Sequence, residues 1–281
     1  LIAKGLMPNY FKPSGLVLLR VLAAGMLFWI VKQFIKEKIE KKDLILLAFC
    51  GLFGISINML FFFHGLNLSS SINSGIIMSM NPIMVAVLSF FLLKEKPSYL
   101  RSIGVLIGAI GAILLTLKGS VQAGESTLGD IFLFINAISY AFYLVLVKPL
   151  MLKYAPITVI TWVFTFGLLF ICLYPPTIQE LVQTSFSGFP NAIYIKIAYI
   201  IVGVTFLTYL LTIYGLKFLS ATVSSSYIYF QPVLVILFAF LFSYIGWSED
   251  YTDTITLQKL GYMLLIFVGV YLTSRTSKKR Q

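Results

Sequence analysis

GLNLSSSINSGIIMSMNP at residues 65–82 and GLKFLSATVSSSYIYFQP at residues 215–232 are two copies of one segment, set 150 positions apart without a gap. Gly65/Gly215, Leu66/Leu216, Ser70/Ser220, Ser74/Ser224 and Pro82/Pro232 are identical, and the register runs on into Val85/Val235 and Phe90/Phe240. The matches fall on Gly and Pro, which restrict the backbone, and on Ser, which is costly among apolar neighbours. A duplication of this kind inside a membrane-class composition is the pattern of a transporter built from internal repeats.

The composition fixes the solvent. The chain is 281 residues long, 59% hydrophobic and 11% charged, with a mean hydropathy of +0.95. Soluble domains carry about 25% charged residues. The net charge of +11 does not indicate nucleic acid, because the basic residues stand at the ends of apolar segments rather than on one patch. Cys50 and Cys172 both sit in apolar runs, which argues against a disulfide framework, and no Cys/His cluster has metal spacing. No cofactor is expected.

A spanning helix needs about 20 mostly apolar residues. Nine spans are predicted, at 15–35, 44–66, 72–93, 102–117, 129–149, 157–176, 193–216, 222–244 and 258–273. Links at 67–71, 94–101, 150–156 and 217–221 are short, so consecutive helices are expected to be antiparallel neighbours. The repeat extends further back: Lys4, Leu6, Met7 and Tyr10 align with Lys148, Leu150, Met151 and Tyr154. In the second copy a full helix precedes this stretch, so a tenth helix is expected before Leu1 in the natural protein. The expected repeats are residues 1–118, lacking most of a first helix, and 126–275, followed by a basic tail at 276–281.

Five helices per copy is an odd number. The second copy must then enter the bilayer from the opposite side, which makes the fold an all-α membrane protein of two inverted five-helix repeats. Substrate sites in this plan lie near the midplane at the repeat interface. Lys and Arg set the orientation. With the C-terminal tail inside, fifteen basic residues face the cytoplasm and five face outward, with Arg20 assigned to neither. The expected location is therefore the inner (plasma) membrane, multi-pass, with a cytoplasmic C-terminus.

Three patterns resemble the drug/metabolite transporter superfamily in its bacterial EamA-type branch. They are the Pro-containing turn leading to LVLLRVLAAG with Arg20, the run NPIMVAVLSFFLLKEK finished by Glu95, and the Gly-spaced SIGVLIGAIGAILL echoed in KLGYMLLIFVGVYL. The resemblance covers nearly the whole chain. The second copy departs from the pattern at SYIGWSEDYTDTITLQ, which is longer than the 94–101 link. The resemblance implies ten helices, both termini in the cytoplasm, a central cavity, and usually outward movement of amino acids, metabolites or toxic small molecules.

Polar groups at bilayer depth are costly unless they face a cavity or a partner, which makes them the site candidates. Asn81 and Gln231 are symmetry mates, each just before a proline. An amide there either serves substrate or repairs the helix. Asn136, Tyr140 and Tyr143 share one helix face. Asn58 stands midway along its helix. Thr205, Thr208 and Thr212 share a face with Tyr209 alongside, and interhelical packing accounts for the threonines. The expected cavity lining is Asn58, Asn81, Asn136, Tyr140, Tyr143, Tyr209 and Gln231. His64 is a gating or coupling candidate, with an interfacial hydrogen-bonding role as the bland alternative. Arg20 is expected to snorkel or to pin loops. Gly104, Gly108 and Gly111 read as close helix packing, and 36–43 as a solvated loop.

No Asp or Glu falls in the middle of a span, which favours facilitated diffusion, exchange, or coupling through His64. Paired carboxylates, a nucleophile with a base, and metal ligands at depth are all missing from the spans, so an enzyme is not expected. The expected function is alternating-access export or exchange of small metabolites such as amino acids. Multidrug efflux and a channel are the alternatives. The expected partners are a small-molecule substrate and the lipid bilayer, without nucleic acid, and the protein is a monomer or homodimer.

Overall fold

A computed structural model describes residues 6–7, 9–69, 77–95, 98–117, 127–231, 233–234, 237 and 257–274. The described residues hold helices and no strand. They are α1 (Pro13–Lys32), α2 (Leu44–Gly51), α3 (Asn58–Leu68), α4 (Asn81–Leu92), α5 (Tyr99–Leu117), α6 (Thr127–Lys153), α7 (Pro156–Cys172), α8 (Pro175–Val182), α9 (Asn191–Tyr199), α10 (Thr208–Phe218), α11 (Ala221–Ser226) and α12 (Leu257–Ser274). Among the described residues, 13–32, 41–68, 127–153 and 191–218 are each long and apolar enough to cross a membrane. The tail at 276–281 and the later part of the 222–244 span lie outside the described residues.

The chain forms two compact units. Unit one takes residues 1–69 and 126–220, and unit two takes 70–125 and 221–281. Each unit therefore draws on both sequence copies.

In unit one the repeat is visible in the backbone. Residues Leu52–Ile57 and Ile200–Leu207 are wide π turns, each leading without a break into an α-helix. Those helices, α3 and α10, are eleven residues long and start 150 positions apart. Both end in the same way: Ser69 (φ −102, ψ 166) and Leu219 (φ −103, ψ 154) turn to extended backbone, and their amides donate to the carbonyls of Gly65 and Gly215 at 2.8 and 2.9 Å. The repeated glycine thus stands where the helix closes. Helices α1 and α7 also match, since each opens with Pro as its first residue, where the missing N–H costs nothing.

Close packing holds this unit. A Cβ on Gly51 would lie 2.7 Å from the backbone nitrogen of Gly167, so α2 and α7 cross nearly backbone to backbone. Near the end of α3, Ser69 donates to Asp130 in the first turn of α6. Lys148 donates to the carbonyls of Leu216 and Leu219 at 2.5 and 2.6 Å, capping the end of α10 with positive charge.

One expectation needs correction and another is extended. The span at 157–176 stops at Cys172, and the chain then bends by 87° into α8. Tyr174-Pro175-Pro176 accounts for the bend, because proline disfavours helix at the residue before it. The loop at 36–43 is more than a solvated link. The Glu37 carboxylate accepts from Ala155 N–H at 3.0 Å, Tyr154 O–H donates to Asp43 at 2.6 Å, and Lys153 pairs with Glu40 at 2.7 Å and with Asp43. The loop therefore ties down the corner between α6 and α7.

Unit two is built on α5 against α12. A Cβ on Gly269 would lie 2.4 Å from the nitrogen of Gly108, and one on Gly104 would meet Thr273. The Gly-spaced face read from the sequence is indeed a helix-packing face. Tyr229 lies fully buried against it and donates to Val105 O at 3.0 Å.

Candidate functional site

A group of polar side chains among apolar walls lies in unit one, around the first π turn. A π turn widens the helix by one residue and is a frequent feature of functional sites. Side chains from neighbouring helices donate to carbonyls in and just after it. Ser139 donates to Phe53 O at 2.5 Å, and Asn136 Nδ2 donates to Asn58 O at 2.7 Å. Tyr209 O–H approaches Gly54 O at 3.3 Å and Asn58 Oδ1 at 3.4 Å. The second π turn is served by its own threonines: Thr205 donates to Ile200 O at 2.8 Å and Thr208 to Gly203 O at 3.0 Å, both five residues back.

Of the seven residues expected to line a cavity, Asn58, Asn136, Tyr140, Tyr143 and Tyr209 belong to this unit. Asn58, Asn136 and Tyr209 are joined by hydrogen bonds, and Tyr140 and Tyr143 have ring centroids 6.0 Å apart. The Tyr143 ring lies against Gly54, where a Cβ would come within 2.4 Å of it. Tyr143 is fully buried, and among the described residues its hydroxyl has no hydrogen-bond partner. Phe164 meets the Tyr209 ring edge-on at 5.2 Å.

Asn81 and Gln231 belong to unit two. Asn81 is buried as the first residue of α4, whereas Gln231 is exposed, so the sequence pair sits in unlike surroundings. Unit two also has a groove of about 300 Å³, mostly apolar, lined among others by Phe90, Phe91, Glu95, Arg101, Val105 and Thr222. No expectation from the sequence named it.

His64 is half-buried on α3, with Nε2 2.9 Å from Ser14 Oγ. Next to Ser14, the Gly15 N–H donates to Glu180 Oε2 at 2.9 Å. Glu180 thereby supplies the first turn of α1 with the acceptor and the negative charge that a helix start favours. The polar stretch 179–187 thus includes the end of α8 and this cap.

Arg20 does not snorkel. It is the eighth residue of α1 and only 6% exposed. Its Nε donates to Thr205 Oγ1 at 3.0 Å, and its guanidinium carbon lies 4.8 Å from the centre of the Phe63 ring. A side chain from the opposite copy and an aromatic face hold it inside, so it never has to reach the headgroups. The threonine face contributed the acceptor.

Among the described residues, no three His, Cys, Asp or Glu side chains cluster as metal ligands.

Known proteins are similar to this chain in sequence or in fold. The chain is 27% identical over 242 residues to the uncharacterized transporter YyaM of Bacillus subtilis (strain 168), covering 83% of this chain and 77% of that one. It is 26% identical over 267 residues to an uncharacterized transporter of Archaeoglobus fulgidus, covering 95% and 90%. A protein of known crystal structure aligns with a TM-score of 0.72 at 16% identity, covering 97% of this chain and 90% of its own, a likeness of fold alone. The fold is that of an all-α membrane transporter. Residues 1–117 and 127–275 each match the EamA-like transporter family, and the chain belongs to that family.

Proposed function

We propose that this protein is a secondary transporter, an exporter or exchanger, that moves small metabolites such as amino acids by alternating access. The observation that carries the reading is the buried and half-buried cluster of Asn58, Asn136, Tyr140, Tyr143 and Tyr209, in which, among the described residues, the Tyr143 hydroxyl has no partner. Amides and phenols among Phe rings suit a solute with a polar end and an apolar body. They suit multiply charged phosphates poorly, since those call for several buried cations. Asn81 and Gln231, in unit two, stay proposed substrate-contacting residues on sequence symmetry alone. His64, with Ser14 and Glu180 beside it, is the proposed gating or coupling group. The protein acts without a cofactor and catalyses no reaction. The excess of Lys and Arg supports an inner-membrane location with the C-terminus in the cytoplasm.

Counterflow in liposomes tests this. Protein in vesicles preloaded with unlabelled amino acid should accumulate the labelled form transiently and saturably. Single-channel currents without counterflow would establish a channel instead. Exchange of unrelated organic cations and of no amino acid would establish multidrug efflux.

A further inference from the structure

Arg20 is a buried charge. It lies seven residues into α1, about 11 Å from the helix start at 1.5 Å per residue. Among the described residues no carboxylate is within ion-pair distance of it, and its one hydrogen bond uses Nε. Thr205 gives its own proton to Ile200 O, which turns a lone pair towards that Nε. The guanidinium carries five donors in one plane, so the Nη edge has no acceptor in this set. A charge at such depth ordinarily pairs or serves a pathway, because an uncompensated buried ion is strongly destabilising.

The matching position in the other copy carries no charge. Helix α7 is the counterpart of α1, and its eighth residue is Val163, also fully buried. The same position in the repeat is thus filled by a small apolar side chain in one copy and by a cation in the other. Arg20 also adjoins the polar cluster, since its acceptor Thr205 stands four residues before Tyr209, which touches Asn58 and Gly54.

We infer that Arg20 is the anion-recognising residue of the transport site and that the solute carries a single carboxylate. This rests on the transporter reading above and adds the substrate's charge to it. The free Nη edge presents two parallel N–H groups, the geometry that a carboxylate accepts bidentately. One guanidinium balances a monoanion and leaves a phosphate dianion half-compensated. Phe63, Phe164 and Tyr209 supply apolar area for the rest of the solute. Asn58 Oδ1 and the Gly54 carbonyl, which Tyr209 O–H approaches at 3.4 and 3.3 Å, are acceptors for a solute amine. An α-amino acid with an apolar side chain satisfies all three requirements.

The test compares each acid with its amide in proteoliposomes of the full chain. Labelled L-leucine and L-phenylalanine are exchanged against unlabelled acid, L-leucinamide or L-phenylalaninamide. The wild type should prefer the acid by at least about tenfold, the discrimination expected when a buried donor pair is left unpaired. R20Q should lose about tenfold in acid exchange and bring acid and amide level. R20K, which keeps the charge without the fork, should fall between. Equal competition by acid and amide in the wild type overturns the inference, and this arm stands even if R20Q fails to fold. An R20Q protein that is monodisperse and loses both solutes equally also overturns it, in favour of a structural Arg20. Exchange of uncharged metabolites alone sinks the carboxylate but leaves the transporter reading intact. Exchange of no solute at all sinks that reading.

Discussion

The hydroxyl of Tyr143 is buried and, among the described residues, has no partner, while its ring fills the space above Gly54. An orphaned buried hydroxyl costs roughly 1–3 kcal/mol, so a protein that keeps one uses it or tolerates it. Y143F separates the two cases. If the hydroxyl meets solute, removing it should leave Tm unchanged or raise it, while half-saturation in counterflow rises by about threefold to tenfold. Unchanged transport would return Tyr143 to packing. Asn136 behaves in the opposite sense. Its amide satisfies Asn58 O, so N136L should lower stability by about 1–3 kcal/mol, read as a fall in Tm in detergent. At this scale the sequence was partly legible. Asn136, Tyr140 and Tyr143 share a face at helical spacing, and the structure brings them beside Asn58 and Tyr209. The place of Arg20 was not legible. Its partners, Thr205 and Phe63, are distant in sequence, and a lone Arg in an apolar run reads the same whether it snorkels or stays inside.

Among the elements, the two π turns set the site. They were hidden in the sequence, because LFGISI and IIVGVTFL carry the same apolar pattern as the helices around them. What was legible was the 150-residue echo, and the backbone repeats it in the ends of α3 and α10. Gly54 belongs to the first π turn and lies under Tyr143. G54A should therefore cost about 1–3 kcal/mol by overpacking and displace the tyrosine, lowering Tm and transport together. In unit two, a side chain at Gly269 would meet the backbone of Gly108, which cannot rotate away. G269V should destabilise by about 3 kcal/mol, the upper end for overpacking. Equal melting of G269V and wild type would show that α5 and α12 do not cross as closely as described. The loop at 36–43 answers to pH. Hydrogen bonds from Lys153 first, and then Lys42, hold the Glu40 carboxyl below its ordinary range. Its contribution is present above the ordinary glutamate pKa and is lost as pH falls through the lowered value. Amide exchange at 37–43 should therefore speed up, relative to its intrinsic rate, in strong acid, and E40Q should show the faster rate already at neutral pH.

For the whole molecule, the sequence copies and the compact units divide the chain differently. The family match breaks between 117 and 127, where one copy ends and the next begins. Unit one nevertheless joins residues 1–69 to 126–220, and unit two joins 70–125 to 221–281. The contacts that build unit one run from one copy to the other: Arg20 to Thr205, Gly51 to Gly167, Glu37 to Ala155, Ser69 to Asp130 and Asn58 to Asn136. In unit two, Gly108 meets Gly269 in the same way. A single copy therefore contains half of each core and the whole of neither. Residues 1–125 expressed alone should leave the buried faces of α1, α2 and α5 without partners and should not yield a monodisperse protein. Residues 126–281 alone should fail likewise. Co-expressed as two chains, they should associate, because the contacts that close each unit are non-covalent and the cut falls between the copies. The readout is co-purification through a tag on one half, followed by counterflow. A first half that purifies alone as a stable, protease-resistant species would mean that each copy folds by itself, and the interleaved units would then not be the folding units of the protein.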